Sequence, residues 1–234
     1  MPRSKSAAAP DRLGSTNSSP APARRRIRGL DADERSAQRR RQLLAAATEL
    51  FARQSYSGTS IEQICQHAYV GTKGFYDHFE SKEACYTALL EQITQQIQQR
   101  VADAAVEHAE AEWPQRLRAI LAAFVHAIAD DPRLAKVTFG EAGGISPAVE
   151  AQRRSNRRWS ADFLDHQWRQ GDSTPDPRSL ALALATIGGM FELIADWLHH
   201  HDDGGQPDSV ETLVGDLTNF AEVVEAGRTA RAKQ

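Results

Sequence analysis

The stretch from Thr59 to Phe79, TSIEQICQHAYVGTKGFYDHF, constrains this chain more than any other. Thr59 and Glu62 stand three apart just ahead of apolar positions, the spacing of a capping box at a helix start. Ile61, Ile64 and Cys65 then recur at helical intervals and give one apolar face, which runs out at Ala68. Ala68-Tyr69-Val70 leads into a second short helical piece from Gly71 to about Asp77. Two short helices joined by a tight turn form the helix-turn-helix pattern, whose second helix enters a DNA major groove.

The second helix has suitable chemistry on its outer side. Val70, Phe75 and Phe79 can face a core, which leaves Gly71, Thr72, Lys73, Tyr76 and His78 outward or at the helix N-terminus. A helix start built from small residues lets backbone N–H groups approach a phosphate, and the helix dipole favours the anion there. Thr72 can reach base or phosphate, Lys73 can donate to phosphate or guanine, and Tyr76 can donate to phosphate. On spacing alone, a plain helical hairpin with a solvated polar face fits equally well.

The wider pattern separates the two readings. From Arg39 to about Ile93 the chain resembles the N-terminal domain of TetR-family transcriptional regulators. The residues that carry the resemblance are a basic start, an alanine-rich first helix ending in Leu50-Phe51-Ala52, a loop with Gly58-Thr59, Ile64 in the second helix, Phe75-Tyr76-x-His78-Phe79, and Ser81-Lys82-Glu83. Tyr69, Gly71 and Gly74 depart from it: a glycine is usual at the first, a serine at the second and a small hydroxyl residue at the third. The resemblance implies an all-α protein with an N-terminal three-helix DNA-binding domain and a helical ligand-binding and dimerisation domain. It also implies that Lys82 touches the DNA backbone. The DNA-facing set is then Arg39, Arg40, Thr59, Ser60, Gly71, Thr72, Lys73, Tyr76, His78 and Lys82.

Charge distribution agrees with a polyanion at one end. The chain has 28 Lys+Arg and 31 Asp+Glu, a net −3, yet 11 of those basic residues and only 4 of the acidic ones fall in residues 1–42. A basic lead attached to an acidic body is the asymmetry of a protein that meets nucleic acid at one end. Residues 1–34, rich in Ser, Ala, Pro and Arg, read as a disordered arm. Its run Arg24-Arg25-Arg26-Ile27-Arg28 either trails in a minor groove or serves as a solubilising tail.

A hydrophobic share of 41% supports a sizeable core. No run of about eighteen apolar residues and no secretory h-region stand out, so neither a membrane span nor export is expected, and the compartment expected is the cytoplasm. Cys65 and Cys85 fall on apolar helix faces and read as buried thiols.

Periodicity places a first helix over about Asp33–Arg53, with Leu43, Ala47, Leu50 and Phe51 buried and Glu49 paired to Arg53. The division read is 1–34 arm, 35–80 DNA-binding domain, 81–228 effector and dimerisation domain, and 229–234 tail. Ser81 caps a fourth helix in which Cys85, Leu89, Ile93, Ile97 and Val101 repeat every four residues, long enough to leave the DNA-binding domain. Helices then follow from Trp113-Pro114, from Asp131-Pro132 and, after a glycine break at 140–144, from Ser146-Pro147. A Gly-Asp-Ser-Thr-Pro-Asp-Pro loop closes the last of these.

In the last two helices Leu180, Leu184, Ile187, Phe191, Ile194 and Leu198, then Val210, Leu213, Leu217, Phe220 and Val224, follow a 3.5-residue repeat. Such stripes suit either an internal hairpin or a four-helix seam between two copies. The resemblance favours the seam, because the family dimerises through its final helices, and an inverted-repeat operator follows.

The resemblance also implies a central pocket for an unidentified small-molecule effector. Phe124, His126, Phe139, Trp159, Phe163 and Phe191 are its candidate lining, each also suited to a plain core. Trp168 and His166 are of the same types. His199-His200-His201 with Asp202-Asp203 reads as a polar loop, and neither a metal nor a cofactor is expected. No nucleophile elbow, phosphate loop, dinucleotide fingerprint or His-Glu-x-x-His helix occurs. The expected function is a DNA-binding regulator, a repressor freed from a palindromic operator by its ligand. The alternatives are an architectural or cell-division DNA-binding protein of the same fold, or an all-helical enzyme.

Overall fold

The computed structural model describes residues 32–139, 145–171, 178–202 and 209–232. The basic run Arg24–Arg28, the glycine break at 140–144 and the Pro-rich loop at 172–177 lie outside the described residues. Among the described residues every regular element is an α-helix: α1 Ala32–Gln54, α2 Ile61–Ala68, α3 Thr72–Tyr76, α4 Lys82–Glu107, α5 Trp113–Ala129, α6 Pro132–Phe139, α7 Pro147–Gly171, α8 Ser179–Asp202 and α9 Val210–Ala232.

Helix starts follow the local chemistry. Ser60, rather than Thr59, caps α2: its hydroxyl accepts from the Gln63 amide at 3.2 Å while the Gln63 side chain accepts from the Ser60 amide at 2.8 Å. The capping box is therefore Ser60–Gln63, one residue later than the Thr59–Glu62 spacing suggests. Thr59 is buried and its hydroxyl donates to the Ser55 carbonyl at 2.8 Å. Ser81 caps α4 by accepting from the Ala84 amide, and Pro114 occupies the first turn of α5, where its missing N–H costs nothing.

The N-terminal trihelix is assembled on α1. Leu43, Ala47, Leu50 and Phe51 are buried as their spacing predicts, and α2, α4 and α6 all pack on that helix. Glu49 does not pair with Arg53; it reaches Arg133 of α6 at 3.0 Å. α4 then carries the core onward: Cys85, Leu89, Ile93, Ile97 and Val101 are buried in succession, the helix lies along α5, and α7 crosses it. One apolar cluster runs from Leu43 to Ala221. Both thiols are buried and free, and burial pushes Cys85 up to about 12.

In the last two helices much of the predicted stripe is covered within the chain. Ile187, Ile194, Leu198, Leu213 and Leu217 are buried within this one chain, where α8 packs on α7 and α9, and α9 packs on α5. Leu180 is half-buried, and Phe220 stands against Gly189, where an added Cβ would come within 2.9 Å of its ring. Of the predicted stripe on α8 only Leu184 is exposed; the other exposed large apolar side chains of these two helices are Leu182, Leu193 and Val223. α8 is also apolar enough over Ser179–His200 to cross a membrane by length and composition, although no such run was expected; a third of that span is buried in the protein interior. Its final turns absorb His199 and His200, so the polar loop expected there is helix, and α9 runs to Ala232 where a tail was expected.

Candidate nucleic-acid interface and effector cavity

The turn between α2 and α3 is closed by Tyr69 in the left-handed conformation, φ 55° and ψ 35°. Its amide and that of Val70 bond back to the end of α2, the usual geometry of a left-handed helix cap. The Tyr69 side chain gains nothing in return, being 98% exposed. Val70, Phe75 and Phe79 face inward, with Phe75 fully buried, and they anchor α3 to the trihelix core. Burial of one such phenyl ring is worth roughly 2–3 kcal/mol, enough to hold a five-residue helix that has no stability of its own.

With Phe75 as anchor, Gly71, Thr72, Lys73 and Tyr76 stand in solvent, Tyr76 being 55% exposed and edge-on to the Phe75 ring. α3 is shorter than expected, ending at Tyr76, and His78 lies beyond it. His78 is half-buried and its Nε2 has no partner among the described residues. Burial lowers its pKa, and the nearby charges of Arg39 and Arg40 lower it further, although Asp77 opposes them. The exposed Arg39 and Arg40 are thereby brought beside the end of α3, with the Arg40 guanidinium over the Phe79 ring.

Two residues of the predicted set turn inward. Thr59 is buried beneath α2 as described. Lys82 donates from Nζ to the carbonyls of Tyr56 at 2.8 Å and Thr59 at 2.7 Å and lies over the Tyr56 ring. Burial lowers its pKa. Two of its three donors are thus engaged in clamping the α1–α2 loop, a role the expected contact with the DNA backbone did not include. That loop is tight at Gly58 too, where a Cβ would lie 2.2 Å from the Gln54 carbonyl oxygen.

In the body, Phe124, Trp159, Phe163 and Phe191 meet around a cavity of about 60 Å³ whose walls are almost wholly apolar. Trp113, Leu117, Gln167 and Met190 are among its other walls; none of these four was named as lining from sequence, although Trp113, Leu117 and Phe124 share one face of α5. Phe139 lies edge-on to Phe191 at 5.0 Å and lines a neighbouring cleft of about 260 Å³ with Arg153, Asn156 and Arg157. His126 is not in the cavity. It faces outward between Asp130 at 2.8 Å and Glu211 at 3.4 Å, and its hydrogen bond to Asp130, with both carboxylates near, raises its pKa. Trp168 is buried elsewhere, under the Arg228 guanidinium, and His166 is exposed and contacts Gln170.

Comparison with known proteins agrees with this geometry. Residues 43–89 match the family described as bacterial regulatory proteins, tetR family. The chain is 33% identical to the HTH-type transcriptional activator FasR of Mycolicibacterium smegmatis over 195 residues, 83% of this chain and 86% of that protein. It is 32% identical to the HTH-type transcriptional repressor DhaR of a Mycobacterium species over 89 residues, 38% of this chain and 44% of that one. The Bacillus subtilis regulator FadR, solved in complex with stearoyl-CoA, superposes with a TM-score of 0.62 at 20% identity, covering 79% of this chain and 96% of FadR. A short helix anchored by Phe75 in a helix-turn-helix, an all-helical body around an apolar cavity and a relative matched over most of its length lead to one conclusion: this chain belongs to the TetR family of transcriptional regulators.

Proposed function

We propose that the protein is a dimeric repressor that grips an inverted-repeat operator in the cytoplasm and is released when a small molecule enters the body. Residues 35–80 read the DNA and residues 81–228 dimerise and sense. The observation that carries the reading is α3 itself, which hides Phe75 completely while leaving Thr72, Lys73 and Tyr76 in solvent. Arg39, Arg40, Ser60, Gly71 and His78 border it and supply phosphate contacts, whereas Thr59 and Lys82 hold the loop that positions α2.

One copy of α3 offers too few base contacts for specificity, so two copies about 34–36 Å apart are needed. The surface for that pairing is the outer face of α8 and α9, where Leu182, Leu184, Leu193 and Val223 are exposed and Gly188 leaves room for a close backbone. The apolar cavity supports an effector with a hydrocarbon part, and the stearoyl-CoA bound by the FadR neighbour favours an acyl thioester. Such a ligand acts only through its differential affinity for the two dimer arrangements.

Binding-site mapping across the genome, followed by mobility shifts on the recovered sites, tests this reading. Few sites of palindromic form, bound at one dimer each and released by an acyl thioester, are expected. Hundreds of dispersed sites favour the architectural alternative, and a monomer without preference over random duplex overturns the proposal. The match to FasR favours a second reading, activation from an upstream site. In vitro transcription from the mapped promoter separates the two by the sign of the effect.

A further inference from the structure

The helix α7 carries five arginines, and the four in its first half form two pairs with opposite fates. Arg154 and Arg158 face solvent and pair one turn away on their own helix, with Glu150 at 3.9 Å and Asp162 at 3.3 Å. Arg153 and Arg157 point the other way, into the 260 Å³ cleft against α8, and neither forms an ion pair among the described residues. Arg153 is deep enough that burial, aided by the Arg157 charge, lowers even a guanidinium's pKa. Its orientation is fixed by a hydrogen bond from Nη2 to the Thr138 carbonyl at 2.5 Å, at the end of α6. Thr138 is also a residue of the cleft lining, and its hydroxyl is buried without a partner among the described residues.

Two adjacent, partly desolvated guanidiniums with no carboxylate bonded to either, one of them held by a backbone carbonyl and opposed only by the more distant charge of Glu150, are an unfavourable arrangement until an anion arrives. Glu192 is the only acidic residue of the cleft lining and forms no ion pair with either arginine. Phe191 lines both this cleft and the apolar cavity. We propose that Arg153 and Arg157 form the anion subsite of an amphipathic effector whose apolar tail passes Phe191 into the cavity; Asn156, its amide already bonded to Thr94 and Gln152, and Thr138 border it. The inference rests on the ligand-responsive reading above and adds the polar end of the ligand, which an apolar cavity alone does not specify. Planar guanidiniums suit carboxylate and phosphate alike, so the head is either a free carboxylate or the phosphates of a carrier thioester. A cavity of about 60 Å³ admits a short hydrocarbon segment as it stands, which makes an eight-carbon tail the right probe.

The test is titration of the full-length protein with octanoate, octanoyl-CoA and uncharged 1-octanol, followed by emission of Trp113 and Trp159, which line the cavity, and by calorimetry. Saturable binding of an anionic probe, weakened about tenfold or more by Arg157→Met and by Arg153→Lys but not by Arg154→Met or Arg158→Met, supports the subsite. Arg157 forms no hydrogen bond or ion pair among the described residues, so its loss leaves the fold intact even where Arg153 variants do not. Octanoate binding alone identifies a carboxylate head; octanoyl-CoA binding alone identifies phosphates. Equal binding of octanol and the anions, indifferent to both arginines, overturns the anion subsite while the ligand-responsive reading stands. Loss of dimer without loss of anionic-probe binding in Arg157→Met assigns the arginines to the subunit seam and overturns it as well. No binding of any of the three overturns it, whereas release of operator by some other ligand would still uphold the broader reading.

Discussion

The guanidinium of Arg133 on α6 lies 3.0 Å from the carboxylate of Glu49 on α1, a pair 84 positions apart that ties the helical body to the trihelix. Asp131 braces the same guanidinium through two further bonds, and these contacts lower the Asp131 pKa and raise that of Arg133. Both partners are partly in solvent, so Glu49→Gln should change stability by no more than about 1 kcal/mol. Its expected effect is on communication: operator affinity without ligand stays near that of the native protein, while the ratio of affinities with and without octanoyl-CoA shrinks. Fluorescence anisotropy on a labelled operator reads both.

Lys82→Met should act on the fold and not on DNA. The substitution leaves the Tyr56 and Thr59 carbonyls without their ammonium donor, a loss of about 1–3 kcal/mol. Thermal unfolding should begin several degrees lower. The slope of log affinity against log salt should stay unchanged, since removal of a phosphate-binding lysine would reduce it by about one.

Tyr69→Gly is expected to stabilise. The residue has a left-handed backbone and an almost wholly exposed ring, so a glycine removes the Cβ conflict and forfeits no packing. The left-handed cost of roughly 1–2 kcal/mol is offset in part by the greater freedom of glycine in the unfolded chain, leaving about 0.5–1 kcal/mol. Urea denaturation would show a higher midpoint at constant slope.

His126 gives a pH-dependent term. Its folded pKa is raised by Asp130 and Glu211 above the ordinary value, so its charged form is the one the fold favours. The stabilisation is complete below the unfolded pKa and fades as pH rises through the folded one. The melting temperature of His126→Gln should therefore fall furthest behind the native protein at mildly acid pH and match it at alkaline pH.

Thr72→Ala should reorder preference among operator variants, because Thr72 stands exposed at the first turn of α3. Without its hydroxyl against a base edge, binding weakens by about 1–3 kcal/mol at one position of the site and little elsewhere. Binding selection on a randomised half-site, compared with the native protein, reads the change directly.

Much of this was legible in the sequence because it is local. The four-residue repeat of α4 and the stripe of α1 sit where period dictates, and Phe75 and Phe79 anchor α3 as their spacing implies. Phe124 and His126, two apart on one helix, point to opposite sides, so the cavity takes the first and solvent the second; periodicity alone contained that answer. The 3.5-residue repeat of α8 and α9 was harder, because a repeat marks which face is apolar but not whose surface covers it. Lys82 was not legible at all: its partners are backbone carbonyls 23 and 26 positions earlier, which leave no trace in side-chain pattern.

α4 has 26 residues in one unbroken helix, about 39 Å of rod. Its first two turns hold Cys85 and Tyr86 beneath the trihelix, and its sixth turn brings Val101 to the cavity wall. A tilt of about five degrees at the cavity end, pivoted there, moves the far tip by about 3 Å. That is close to the rise of one base pair along duplex DNA, so on the proposed reading a small angular change at the cavity would be enough to put α3 out of step with the groove.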